Sequence, residues 1–118
     1  MKIKGKLLNY DKLLNNRFYF SKDSKIDIPE KVPLVVEFSF DDPSKVIGMC
    51  HIIRTDTGLY IEADIGDYTI EKNMGGLGGY YNNCIFRGKK IISAHLNACS
   101  ITMAPIDRDC RITEVIEE

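Results

Sequence analysis

The sequence predicts a mainly β chain, a small antiparallel β-barrel or closed sandwich with room for one short helix. Three observations predict it. Two runs rich in Ile, Val and Tyr, Val46 to Ile53 and Leu59 to Ile65, flank the polar segment Arg54-Thr-Asp-Thr-Gly58, the pattern of a hairpin whose loop ends on a residue able to take positive φ. Within the second run Leu59, Ile61, Ala63 and Ile65 alternate with Tyr60, Glu62 and Asp64, a period of two that sends one face to a core and the other to water. The remainder divides into short runs of the same kind, seven or eight strands in all, with no long run at helical spacing. A chain of such strands favours closure, because an open sheet leaves unpaired edges.

The elements follow in order. Lys2, Lys4 and Lys6 alternate with Ile3, Gly5 and Leu7, which predicts a strand with a lysine-bearing outer face, placed at a sheet edge where charge discourages unwanted pairing. Asn9 to Asn16 reads as a loop or one helical turn, Arg17 to Phe20 as aromatic strand, and Ser21 to Lys25 as a polar loop. Pro29 and Pro33 bracket an extended connection, since each pushes its predecessor into the β or polyproline region. Leu34, Val36, Phe38 and Phe40 then share one strand face, and Asp41-Asp-Pro-Ser44 turns the chain into the central hairpin.

After Ile65 the alternation dissolves. The short helix, if formed, lies between Asp64 and Asn73, and Gly75-Gly-Leu-Gly-Gly79 predicts a mobile or closely approached loop. Tyr80 to Arg87 and Lys90 to Met103 are further strands, the second broken near Asn97. Pro105 to Asp109 turns the chain, and Cys110, Ile112, Glu114 and Ile116 alternate with Arg111, Thr113 and Val115 in a last strand.

The totals bound the function classes. At 118 residues, 44% hydrophobic and 28% charged, the chain suits a single β-rich domain spanning residues 1–118. Sixteen Lys and Arg against 17 Asp and Glu, with no like-charged run, disfavour nucleic-acid binding by a basic field. No apolar run approaches the roughly 20 residues of a membrane helix, and no h-region marks a secretory signal, so synthesis in a cytoplasm is the expectation. Cys50, Cys84, Cys99 and Cys110 lie far apart without a CxxC pair and read as buried free thiols rather than metal ligands. Gly88-Lys89-Lys90 falls short of a phosphate loop, with Asn83 where its first Gly belongs and Lys90 where its hydroxyl belongs. No cofactor or metal site is predicted.

Catalysis by a nucleophile requires an adjacent base. His51 and His95 both fall inside strand patterns, and Ser93 shares a strand face with His95, where parallel side chains make poor relays. The pair Asp41 and Asp42 reads as a turn signal.

The order Asp41-Asp-Pro-Ser-Lys-Val-Ile-Gly48, a β-arm, then Asp56-Thr-Gly-Leu-Tyr-Ile-Glu-Ala63 resembles the prohead maturation proteases of tailed phages, as does Leu96-Asn-Ala-Cys-Ser-Ile-Thr-Met-Ala-Pro-Ile-Asp107 near the C-terminus. The resemblance spans most of residues 34 to 112 and implies a β-barrel core of serine protease ancestry. It also implies lost chemistry. Phe40 stands where the family's catalytic His precedes Asp, the glycine segment 75–79 stands where the nucleophilic Ser belongs, and Ala98 replaces a Glu of the C-terminal strand. Ser100 matches a serine that is not the nucleophile.

The expectation is therefore a non-enzymatic phage structural protein. It would be an auxiliary or decoration protein of the virion, present in many copies, whose partner is the major capsid protein or another virion protein. The contact residues expected are Ile3 and Leu7, the run Phe18-Tyr19-Phe20, and Leu77, Tyr80 and Tyr81 flanking the glycines. Two other readings are an active maturation protease using His51 or His95 with Ser93 or Ser100, and a β-barrel binding module unrelated to phages with the glycine loop as its lid.

Overall fold

A computed structural model describes residues 1–117. Eight strands are formed among them: β1 Lys2–Asn9, β2 Tyr19–Asp27, β3 Val32–Val36, β4 Val46–Arg54, β5 Gly58–Asp64, β6 Gly76–Arg87, β7 Lys90–Thr102 and β8 Ile112–Ile116. They build one sheet in the order β2-β7-β3-β4-β5-β1-β8, with β6 also on β7. The chain is thus mainly β, but the sheet is open and mixed rather than a closed antiparallel barrel or sandwich.

The reason lies in β7, which runs unbroken through Asn97. One of its edges carries β6 antiparallel along its whole length. The other is shared by two parallel strands, β2 against its first half and β3 along Cys99 to Ile101. Among the described residues the sheet's other end pairs with β6 only at a single bridge, Gly76 with Arg111. There the Leu77 N–H donates to the Cys110 carbonyl at 2.9 Å, and the Ile112 N–H to the Gly75 carbonyl at 2.8 Å. Beyond Leu77 a seam remains.

The central hairpin forms as its alternation predicts. β4 pairs with β5 from Met49↔Asp64 to Arg54↔Leu59, and Leu59, Ile61, Ala63 and Ile65 are all buried. Gly58 is needed for a different reason from the one its position suggests. Its φ is not positive; a Cβ there would run into the Leu8 carbonyl, because β1 crosses against the start of β5. The loop is closed instead by Thr55, whose hydroxyl accepts from the Gly58 N–H at 3.2 Å.

Several expected elements differ. β1 is not an edge: it lies between β5 and β8, which is why Ile3 and Leu7 are core residues while its lysines still face outward. Ser21 to Lys25 belongs to β2, where Ser24 is buried and donates to the Ile91 carbonyl. The strand expected to reach Phe40 ends at Val36, because Glu37 and Phe38 both adopt left-handed backbone, φ 49° and 58°. In place of a helix between Asp64 and Asn73 the chain turns at left-handed Gly66, whose N–H is held by the Asp64 carboxylate. Among the described residues the helical content is one short 3-10 turn, Pro43–Lys45, capped by Asp42. The glycine segment is no free loop. It opens β6, and a Cβ on Gly78 would strike the Phe38 ring.

Candidate functional site

The left-handed pair Glu37–Phe38 swings the chain away from β3 and over β6. The Phe38 N–H is held there by the buried Ser100 hydroxyl at 2.8 Å, while the Met103 N–H is taken by the Glu37 carboxylate at 2.6 Å. Three rings then line up at the surface. Phe38 meets Phe40 edge-on with centroids 5.7 Å apart, and Phe40 lies tilted on Tyr80 at 4.6 Å. Asp41 and Asn97 complete a shallow groove around them. Such ring pairs contribute beyond the area they bury.

Phe38 also walls a second feature, a small cavity of about 50 Å³ at the seam between β1 and β6. Its lining is mostly apolar, with the Tyr81 phenol, the Asp107 carboxylate and the Cys110 thiol as exceptions. The Tyr81 hydroxyl is buried without a hydrogen-bond partner among the described residues, and burial raises its pKa well above the ordinary value. Burial likewise pushes the Cys110 thiol up to about 12, with the Asp107 carboxylate adding to the effect. Cys50, Cys84 and Cys99 are unpaired as well, and the Cys99 thiol is raised by its hydrogen bond with Cys50 and by burial. The Cys99 and Cys110 thiols so held are poor nucleophiles at neutral pH.

Burial would raise the Asp107 carboxyl, but hydrogen bonds from Asn9 at 2.8 Å and Lys12 at 2.5 Å, with the Asp109 N–H, outweigh it and hold the pKa below the ordinary carboxylate value. A depressed folded-state pKa adds stability that is present above the unfolded value of about 3.9 and lost as pH falls through the folded one. Urea midpoints measured from about pH 5 down to about pH 2 should therefore fall more steeply for the wild type than for Asp107→Asn, which lacks this titration. Parallel curves would show that Asp107 does not hold the linker to β1.

The expected contact residues are divided by the fold. Ile3, Leu7, Phe20 and Leu77 are buried in the core, Phe20 and Ile3 with no exposed surface. They sit on inward faces of paired strands and cannot form a surface. Phe18 and Tyr19 are half-buried, as is Tyr81, whose ring packs on Phe20 at 4.7 Å. Tyr80 alone of the eight is exposed, at 41%.

The groups of the catalytic reading do not converge. The His95 Nδ1 is bonded to Asp27 at 2.9 Å, and Ser93 makes no hydrogen bond to it among the described residues. The Ser100 hydroxyl donates to the Ile101 carbonyl at 2.9 Å while accepting from Phe38, a structural role. His51 lies exposed opposite Glu62 on the outer face. Among the described residues no three His, Cys, Asp or Glu side chains gather as metal ligands, and no helix is long and apolar enough to cross a membrane.

Sequence reasoning did not find the three-ring surface or the seam cavity. Phe38 and Phe40 alternate with polar residues as core residues do, and only the left-handed turn at 37–38 diverts them outward. Asp107 looks like an ordinary turn former beside Pro105. No family model, curated protein or solved structure matches this chain.

Proposed function

We propose that this chain is a non-enzymatic phage structural protein, an auxiliary or decoration protein that binds the capsid through a protease-like β-domain. On this reading it is made in the bacterial host cytoplasm and ends in the virion. One observation carries the proposal. The positions that the prohead protease resemblance assigns to chemistry lie far apart in the sequence yet adjoin in space: Phe40 stacks on Tyr80 at 4.6 Å, Tyr80 pairs across the ladder with Ala98, and Gly78 lies against Phe38. At the assigned positions stand the Phe40 ring, the Ala98 methyl group and the glycine backbone of 75–79, none with a side chain that carries or accepts a proton. A cleft of that ancestry, without a histidine or serine in its lining and filled with aromatics, suits contact better than cleavage.

Occupancy of a shell by so small a domain comes from many equivalent weak sites. The groove around Phe38, Phe40 and Tyr80 is the surface best suited to supply them. The test is co-sedimentation with assembled shells of the cognate major capsid protein. Wild type should pellet with shells, and a Phe40→Ala/Tyr80→Ala variant of unchanged circular dichroism should remain mostly in the supernatant. Folded wild type that stays in the supernatant removes the decoration role.

A further inference from the structure

Past the seam, where Gly78, Gly79 and Tyr81 border the cavity, the outer edge of β6 carries no strand among the described residues. Outside the β6–β7 ladder, the only backbone hydrogen bond that β6 makes among the described residues is the one from Leu77 at its start. From Gly78 to Phe86 there is no charged residue and no proline. Tyr80, Ile85 and Phe86 along this run are 41%, 56% and 52% exposed. Proteins blunt long free edges with lysines, prolines or brevity, because unpaired backbone groups recruit another strand. β6 is twelve residues long and uses none of these. Its one protective device is an irregular register between Tyr80 and Phe86, which breaks the edge into short pairable runs.

The two ends of this edge differ in charge. Near Tyr80 stand Phe40 and the exposed carboxylate of Asp41. Six residues on, about 20 Å away at strand rise, stand Ile85, Phe86 and Arg87, followed by Lys89 in the β6–β7 turn. Neither Asp41 nor Arg87 takes part in an ion pair among the described residues.

We infer that two copies of this chain associate through their β6 edges, antiparallel about a twofold axis near Asn83. That arrangement sets Phe86 of one copy against Tyr80 of the other and Arg87 against Asp41, and the symmetry makes each contact twice. Parallel pairing would instead set Arg87 beside Arg87 and Asp41 beside Asp41. Because the irregular register limits ladder bonding, ring contacts and the two ion pairs carry most of the interface. The inference does not rest on the capsid reading, since it needs only a second copy, but the dimer would cover Tyr80 and so part of the groove assigned to the capsid.

Sedimentation equilibrium across a concentration series tests it. The average mass of wild type should rise with concentration from 13.4 kDa toward twice that value. Phe86→Lys, at an exposed site, should stay at the monomer mass with unchanged circular dichroism. Arg87→Asp and Asp41→Arg should each move the midpoint to about tenfold higher concentration or beyond, and the double variant, with the pair reversed, should restore it. Three outcomes overturn the inference: folded wild type that stays monomeric up to about 1 mM, a dimer indifferent to Phe86→Lys, or charge reversals that fail to rescue each other.

Discussion

Replacing Phe20 by Ala lowers the folding free energy by about 3–5 kcal/mol, the range for deleting a fully buried ring. The ring has no exposed surface, meets Phe18 edge-on at 6.4 Å and lies on Tyr81 at 4.7 Å. It also anchors the start of β2, where Phe20 pairs with Ile91, so its loss loosens the parallel junction with β7. The void would adjoin Tyr81, which already borders the seam cavity, leaving little nearby material to collapse into it. Against a total stability of about 5–15 kcal/mol this is a large fraction. The measurement is a urea titration in which the midpoint falls while the slope stays constant. A loss under about 1 kcal/mol would place Phe20 outside the core, since only surface substitutions cost so little.

Ile61→Ala comes next, with an expected loss of about 2–4 kcal/mol, whereas its strand neighbour Glu62→Ala should change stability by less than about 1 kcal/mol. Ile61 is 1% exposed and sits between β1 and β4, opposite Gly5 on one side and Ile52 on the other. Glu62 points the other way. Its ion pair with Lys4, 3.5 Å long, joins two side chains that each remain nearly half exposed, where water screens the attraction. Equal losses from the two changes would contradict the inward face of β5.

Local alternation made the central hairpin legible, because a strand with one face in a core must repeat every two residues, and β5 does so without exception from Leu59 to Ile65. Alternation also separates the lysines of β1 from Ile3 and Leu7. It does not say which strands are neighbours. The placement of β1 inside the sheet depends on β8 arriving from 110 residues away, and nothing within Met1 to Leu8 records that partner. The same limit hid the parallel strands, since β2 and β3 look like any short strands until β7 proves long enough to hold both on one edge. The expectation of closure failed at the seam because β7, by carrying β2, β3 and β6, leaves β6 with a free edge.

The candidate site was less legible than the fold. Its aromatic groove depends on two consecutive left-handed residues, Glu37 and Phe38, neither of them a type that favours that backbone. Their side chains alternate as in a strand, so the pattern pointed inward where the chain turns out. Ser100 was visible as a matched serine, but its role of holding the Phe38 N–H needs the register of β3 on β7 to be known. The glycines 78 and 79 were readable as places of close approach, without the identity of what approaches.

The claim that this domain acts by contact rather than by cleavage is tested most directly with a fluorophosphonate probe, incubated with the folded chain and followed by intact-mass analysis. Phe40, the 75–79 glycine segment and Ala98 leave no base, nucleophile or acid at the positions where the resemblance would place them, and Ser100 is committed to the Phe38 N–H and the Ile101 carbonyl. The expected result is the unmodified mass of the chain. A single adduct mapped to Ser93 or Ser100 and abolished by His95→Ala would contradict it and make the chain an active protease.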